Sequence, residues 1–236
     1  MVDIVCFRPE SARLLFEALA GKIKLLVQVG TAWIYGDPEV VPTPESYRGV
    51  PLNDYARAKL DIQDYYLERH EKDGFPVSVV HPTQITGAGK KLITPEGTND
   101  VAYLERMQAG EEVPLPAHGK PFVHHVHPSD VAQVIRRALE RPDVAAGQVY
   151  NAGSPYAMSY RGYFNFLRSQ YGWTAKARSV SLAEYQDQYG PNDTVKQHMI
   201  QPVCVDIRKA AEQLGYAPAF TARQAVVDAI GALGLG

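Results

Sequence analysis

Tyr55 and Lys59 lie four residues apart in a segment whose pattern predicts a helix, so their side chains project from one face. Thr31 lies earlier in the chain, where a predicted strand ends. A phenol, an ammonium and a hydroxyl that converge on one point can transfer a proton to or from a substrate oxygen. A nearby lysine charge lowers the pKa of a phenol, so we expect Tyr55 to exchange the proton and Thr31 to hydrogen-bond the oxygen.

A tyrosine and a lysine at this spacing also occur by chance as an exposed pair without a role. The strand that ends at Thr31 and the strand predicted at Val77–Val80 flank the helix, and this position favours the site. Trp33 follows Thr31 by two residues and can form a wall of a substrate pocket. A tryptophan buried in the core explains the same residue, and both interpretations remain open.

Strand and helix patterns alternate in the N-terminal part of the chain. They are strand Val2–Phe7, a helix from Pro9 to Gly21, strand Ile23–Val29, a helix capped by Asn53 or Asp54 that runs to Lys72, and strand Val77–Val80. Apolar strands separated by helices are typical of a parallel sheet with crossover helices. The sequence therefore predicts the α/β fold class.

The remaining elements are less regular. They are helix Val101–Gln108, strand Phe122–Val126, helix Pro128–Leu139, strand Gln148–Asn151, a helix from Ser159 to Ser169, one from Asp206 to Leu214, and one from Thr221 to Ala232. We expect residues 1–88 with 118–152 to form the core domain. Residues 89–117 and 153–236 would form a smaller, irregular lobe.

Composition excludes several classes of function. Lys plus Arg number 24 and Asp plus Glu 26, so no basic surface for nucleic acid is expected. No apolar run has the length of a membrane span and no signal peptide is visible, which predicts a cytoplasmic protein without a membrane partner. His124, His125 and His127 cluster on one predicted strand, but no carboxylate or cysteine completes a ligand set, so no metal site is expected.

Six segments, in order along the chain, resemble motifs of one known family. They are Gly30–Gly36 (S-S-x-x-V-Y-G), Tyr55–Lys59 (Y-x-x-x-K), His81–Gly87 (R-P-x-N-x-x-G), Phe122–Val131 (F-V-H-V-x-D-V), Val149–Gly153 (Y-N-x-G) and Asp206–Pro218 (D-x-x-K-A through L-G-Y-x-P). The chain thus resembles the extended short-chain dehydrogenases, the NAD-dependent epimerase/dehydratase group. The resemblance implies a partial doubly wound (Rossmann-like) parallel sheet with a smaller, irregular C-terminal substrate lobe.

The resemblance also implies a set of roles. Thr31, Tyr55 and Lys59 would be catalytic, and with Pro82 and Thr83 they would contact NAD or NADP. The substrate would be a sugar or a nucleotide-sugar-like small molecule. Its expected contacts are Trp33, Gln84 and His125, and a homodimer is expected.

One departure from the family concerns the cofactor. The family's glycine-rich G-x-x-G-x-x-G turn, which holds the pyrophosphate, has no counterpart in the sequence, and the run Gly87–Lys91 lacks the spacing to replace it. We therefore expect weak dinucleotide binding and an uncovered edge on strand Val2–Phe7. His81 and Gln84 replace the family's arginine and asparagine. A non-catalytic remnant that binds a small molecule or a partner is the alternative function.

Overall fold

The computed structural model describes residues 1–235, which divide into two compact units. The first comprises Met1–Thr83, Pro128–Ser154 and Val205–Ala219, and the second comprises Gln84–His127, Pro155–Cys204 and residues 220–235. These ranges differ from the expected domains at residues 84–88, 118–127, 153–154 and 205–219.

The described part of the chain contains ten short strands and ten α-helices. The strands are β1 Val2–Asp3, β2 Leu26–Val29, β3 Val77–Pro82, β4 Gln84–Ile85, β5 Glu112–Leu115, β6 Phe122–Val123, β7 His125–Val126, β8 Val149–Ala152, β9 Met158–Ser159 and β10 Lys176–Ser179. The helices are α1 Pro9–Leu19, α2 Asp54–Asp73, α3 Val101–Gln108, α4 Pro128–Glu140, α5 Pro142–Ala145, α6 Tyr160–Tyr171, α7 Leu182–Tyr189, α8 Asp193–Ile200, α9 Arg208–Leu214 and α10 Ala222–Ala232. Two 3-10 turns span Ala32–Tyr35 and Pro116–Gly119.

A parallel sheet in the order β1–β2–β3–β8 forms the centre of the first unit. Leu26 pairs with Val77 across β2 and β3, and both side chains belong to a buried cluster with residues of α1 and α2. The strand order and the crossover helices confirm the predicted α/β fold with a parallel sheet.

Helix α2, which carries the tyrosine and the lysine, begins and ends where the sequence indicates. The Asn53 Oδ1 accepts a hydrogen bond from the Ala56 backbone N–H at 2.9 Å, and Gly74 ends the helix in the left-handed conformation at φ 66°. Ile62 and Tyr66 are fully buried, so one face of the helix is fixed in the core of the first unit.

Strand β1 is shorter than predicted because of a local turn. The Asp3 Oδ1 accepts hydrogen bonds from the backbone N–H groups of Val5 and Cys6, both at 3.1 Å. An aspartate that bonds to its own backbone in this way favours a turn over a continued strand. The chain therefore leaves the sheet after Asp3, and the prediction of a strand to Phe7 was wrong beyond that residue.

The second unit contains three two-stranded sheets: β5 pairs with β10, β4 with β7, and β6 with β9. Its core is rich in aromatic and aliphatic side chains from α3 and α6, among them Tyr103, Leu104, Tyr163 and Phe164. The single strand expected at Phe122–Val126 is interrupted, because β6 and β7 pair with different partners.

Candidate functional site

Thr31 lies at the point where β2 gives way to the 3-10 turn. Its backbone is extended, at φ −161° and ψ 143°, and its Oγ1 accepts a hydrogen bond from the Trp33 backbone N–H at 3.3 Å. Gly30 precedes it, and a Cβ at Gly30 would lie 2.6 Å from the Cδ2 of His81. The strand end therefore requires glycine at this position, and Thr31 is held by both its backbone and its side chain.

Tyr55 and Lys59 of helix α2 differ in their exposure to solvent. The Tyr55 side chain is 44% exposed, whereas Lys59 is buried at 2% exposure. The Lys59 Nζ donates a hydrogen bond to the Val29 carbonyl at 2.9 Å, which joins the helix to the end of β2. Phe7 lies beside both residues, with its ring centroid 4.7 Å from the Lys59 Nζ and 6.3 Å from the Tyr55 ring.

The pKa shifts of the pair follow from this packing. Burial raises the pKa of Tyr55 above its ordinary value, and a hydrogen bond with Thr31 opposes that shift. Burial lowers the pKa of Lys59, and the nearby Cys6 and Asp3 oppose it. In the chain alone the pKa of the phenol shifts upward, and the Lys59 ammonium is directed at the Val29 carbonyl and the Phe7 ring, so the expected lowering of the Tyr55 pKa by Lys59 stays a prediction for the ligand-bound site.

Trp33 lies beside Tyr55, with the two ring centroids 6.5 Å apart and the ring planes nearly perpendicular. Trp33 is only partly buried, so it contributes surface next to the phenol. The interpretation of Trp33 as a fully buried core residue was therefore wrong.

Pro82 and Thr83 follow at the end of β3, in the same unit. Both are buried, and the Thr83 backbone N–H donates to the Ala152 carbonyl at 3.0 Å. The Thr83 Oγ1 is buried and makes no hydrogen bond within residues 1–235. A buried hydroxyl without a partner is unfavourable in the chain alone, and it is a group that a bound ligand could satisfy.

Gln84 and His125 belong to the second unit. Gln84 is partly buried in β4, and its backbone N–H donates to the His124 carbonyl at 2.9 Å. His125 is fully buried, with its Nδ1 2.8 Å from the Thr86 Oγ1 and its ring packed edge-on against Tyr163 at 5.0 Å. Burial lowers the pKa of His125 to about 3. His125 has no exposed surface and its Nε2 makes no hydrogen bond within residues 1–235, so its expected contact with a substrate stays a prediction.

A buried polar chain that involves Tyr35 was not expected from the sequence. The Tyr35 hydroxyl donates to the Asn151 Oδ1 at 2.8 Å and lies 3.1 Å from the His81 Nδ1. The Asn151 backbone N–H donates to the Glu45 Oε1 at 2.8 Å. The only signal in the sequence was that Tyr35, His81 and Asn151 fall within three of the family-like segments.

Within residues 1–235 no three histidine, cysteine, aspartate or glutamate side chains lie together as a metal site would require. None of the helices in that range is both long and apolar enough to span a bilayer.

Comparison with known proteins decides the family. Residues 10–153, more than half of the chain, match the model of the NAD dependent epimerase/dehydratase family. The chain belongs to this family. The match covers the strand end at Thr31, helix α2 and the end of β3, so the family assignment rests on the same elements that build the candidate site.

Individual relatives are distant. An uncharacterised protein, y4nG, from Sinorhizobium fredii is 24% identical over 223 residues, which are 90% of this chain and 54% of that protein. A UDP-glucuronic acid 4-epimerase from Bacillus cereus, solved with UDP-glucuronic acid and NAD, has a TM-score of 0.75 at 17% identity over 95% of this chain and 66% of its own. RMD from Pseudomonas aeruginosa, solved with NADPH, has a TM-score of 0.71 at 18% identity over 94% of this chain and 72% of its own.

These structures show that the fold is shared. The chain spans about half the length of y4nG and about two thirds of the length of the Bacillus cereus epimerase.

Proposed function

We propose that this chain carries the proton-transfer part of an NAD(P)-dependent epimerase/dehydratase site, in which a carbinol of a sugar or nucleotide-sugar-like substrate reacts. The observation that supports this most is that Tyr55 packs against Trp33, two residues after Thr31 at the end of β2, so its phenol lies close to the Thr31 hydroxyl. Lys59, one helical turn further along α2, is bonded to the carbonyl of the same strand.

Each side chain has a role that its contacts support. Tyr55 is the partly exposed group, so its phenolate, formed once the Lys59 charge lies beside it in the ligand-bound site, would take the proton from the substrate hydroxyl and later return it. Thr31 would hydrogen-bond the same oxygen and orient it. Lys59 would hold α2 against the strand end and place its positive charge beside the phenol when a ligand displaces the Phe7 ring.

The residues fit the nicotinamide end of a dinucleotide and lack the features that hold its other end. Thr83 offers a buried hydroxyl without a partner, and Lys59 offers an ammonium whose hydrogen bond to the Val29 carbonyl uses one of its three donor hydrogens. A nicotinamide cofactor supplies the acceptor and donor of hydride in such reactions. No G-x-x-G-x-x-G turn occurs in the sequence, so we expect weak binding of NAD or NADP by this chain alone.

The substrate class rests on the family and on surface next to Tyr55. The Bacillus cereus epimerase was solved with UDP-glucuronic acid. Trp33 lies beside Tyr55 and presents an aromatic ring, which favours packing against the apolar face of a sugar. We retain Gln84 as a substrate-contact candidate because its side chain is only partly buried.

A second function, a non-catalytic protein that binds a small molecule or partner, is favoured by one contact. The Phe7 ring lies over the Lys59 ammonium at 4.7 Å, where the catalytic hypothesis needs a ligand. If that contact is permanent, the lysine has only a structural role.

Titration with NADH separates the two functions. The catalytic hypothesis predicts a saturable rise in nicotinamide fluorescence with a millimolar or high-micromolar Kd, and tighter binding in Phe7→Ala, which uncovers the lysine. Leu14→Ala, a change at another exposed apolar side chain, is the control and should leave the titration unchanged. The absence of saturable binding in both the natural chain and Phe7→Ala would favour the non-catalytic function.

A further inference from the structure

The orientation of the Asn151 side chain is fixed by its donors. Its Nδ2 donates to the Thr43 carbonyl at 3.1 Å and to the Asp206 carbonyl at 3.0 Å. A reversed amide would place its oxygen against two carbonyl oxygens, which cannot donate. The Asn151 Oδ1 is therefore an acceptor, and it faces the Tyr35 hydroxyl at 2.8 Å.

The proton of the Tyr35 hydroxyl is thereby assigned. A phenol has one hydrogen to donate, and Tyr35 donates it to Asn151. The same oxygen lies 3.1 Å from the His81 Nδ1, so the hydrogen bond between them requires His81 to donate. His81 must carry its proton on Nδ1, and in the neutral ring its Nε2 is then an acceptor.

The other side of the His81 ring packs on the strand end. A Cβ at Gly30 would lie 2.6 Å from the His81 Cδ2 and 3.1 Å from its Nε2, so the ring lies directly against the Gly30 backbone. Gly30 and Tyr35 are the two ends of the segment that contains Thr31. One buried side chain thus touches both ends of this segment.

The surroundings of His81 keep it uncharged. His81 is fully buried, and the charged groups that act on it are Lys59 of α2 and Lys209 of α9, both positive. Burial and these two charges lower the pKa of His81 to about 3. Glu45 is the carboxylate of the same polar chain, and it bonds to the Asn151 backbone.

We propose that His81, held as the neutral Nδ1–H tautomer by the Tyr35–Asn151 pair, is a positioning residue that fixes the Gly30–Tyr35 segment and so orients the Thr31 hydroxyl. The importance of this orientation for turnover rests on the proposed function. The tautomer and the orientation themselves do not depend on any reaction, so they are tested separately.

Nitrogen-15 NMR of the full chain labelled in histidine tests the tautomer, with His81→Asn used to assign the signal. We expect His81 to show a protonated Nδ1 and a bare Nε2 from pH 8 to pH 5 without titration. In Tyr35→Phe the Nδ1–H tautomer should no longer be preferred, because the hydroxyl oxygen that accepts its hydrogen bond is removed. A protonated Nε2 in the natural chain, or titration near pH 6.5, would overturn the proposal.

Amide hydrogen exchange at Trp33 tests the positioning, since this N–H donates to the Thr31 Oγ1. We expect His81→Leu and Tyr35→Phe to speed exchange about fivefold or more, as for the loss of one buried hydrogen bond. His81→Asn should restore slow exchange because its Nδ2 places a donor near the position of the histidine Nδ1. Tyr47→Phe, which removes the hydroxyl of a tyrosine packed 6.4 Å from Tyr35, is the control and should have no effect.

Unchanged exchange in His81→Leu, with the variant folded by circular dichroism, would overturn the positioning role. So would failure of His81→Asn to restore exchange. If these tests succeed and no substrate reacts with the natural chain, only the proposed function fails. If turnover is found, His81→Leu should lower kcat with little change in KM, and His81→Asn should recover most of it.

Discussion

At the scale of single residues, the candidate site combines one exposed and one buried titratable group. Tyr55 is accessible and its pKa is raised by burial of part of its ring, whereas Lys59 is enclosed and its pKa is lowered. Both pKa shifts have one cause, which is that burial removes water from the charged form of each group and so disfavours that form. The chain alone therefore has a phenol that is protonated at neutral pH.

The state of Tyr55 can be measured directly. We expect carbon-13 NMR of tyrosine-labelled protein to show the Tyr55 phenol protonated up to at least its ordinary value of about pH 10, because burial disfavours the phenolate. Tyr55→Phe assigns the signal, and Thr31→Val should raise the pKa further by removing the opposing hydrogen bond. A Tyr55 titration between pH 6 and 8 in the free chain would contradict this interpretation.

The buried neutral His81 makes the first unit sensitive to acid. The unfolded chain binds a proton at His81 below about pH 6.5, whereas the folded chain binds it only near pH 3. Between these values the unfolded state holds more protons, so stability rises with pH by about 1.4 kcal/mol per pH unit for this residue. Urea unfolding at pH 6, 5.5 and 5 should approach this slope, and the slope should be smaller by about that amount in His81→Asn. Equal slopes in the two proteins would contradict it.

At the scale of elements, helices with a clear cap and a strong apolar face were predicted best. Asn53 and Gly74 set the ends of α2, and Thr221 begins α10 with a capping box, as the residue types indicated. Tyr55 and Lys59 share a face of α2 because they lie four residues apart in a helix. Local chemistry fixes such features, so they are visible in sequence.

Features that depend on distant partners were missed. Strands β5 and β10 stabilise each other across the second unit, and β10 has a charged, partly exposed pattern that did not indicate a strand. The same holds for the site, since the polar chain through Tyr35, His81 and Asn151 joins three separate elements. The burial of Lys59 under Phe7 likewise depends on a segment far away in sequence.

The turn that carries Thr31 gives a test at the element scale. Gly36 ends it at φ 62°, and a Cβ there would lie 2.1 Å from the Val50 carbonyl oxygen. Gly89 has φ 73° with open space around it, so Gly89→Ala costs only the strain of a left-handed backbone, about 1 kcal/mol. We expect Gly36→Ala to lower the free energy of unfolding, measured in urea, by about 2 kcal/mol more than Gly89→Ala does, because the Val50 carbonyl must move. Equal losses would contradict the close approach.

At the scale of the whole molecule, β1 leaves part of the first unit open. Within residues 1–235 it pairs with β2 alone, and Ile4, Val5 and Phe7 beyond it are more than half exposed. An apolar segment beside an unpaired strand edge is prone to associate with other chains. The homodimer that the family resemblance implies and association through this edge are therefore competing outcomes.

Sedimentation velocity distinguishes these outcomes. We expect concentration-dependent association of the natural chain that Val5→Lys weakens severalfold, because a charge at the open edge opposes pairing. Val50→Lys is a matched control, since Val50 is 73% and Val5 71% exposed. Equal association in the two variants would show that the edge is not the contact.

The central claim is that Tyr55 transfers the proton at a nicotinamide-dependent site, and single-turnover reduction of NAD⁺ tests it most directly. The natural chain is mixed with millimolar NAD⁺ and a panel of UDP-sugars, and the absorbance of the reduced nicotinamide is followed beside Tyr55→Phe. We predict reduction by the natural chain and a loss of at least about a hundredfold in the variant, as for removal of a general base, with unchanged circular dichroism. Equal rates in both proteins, or no reduction by the natural chain with any sugar of the panel, would contradict the claim.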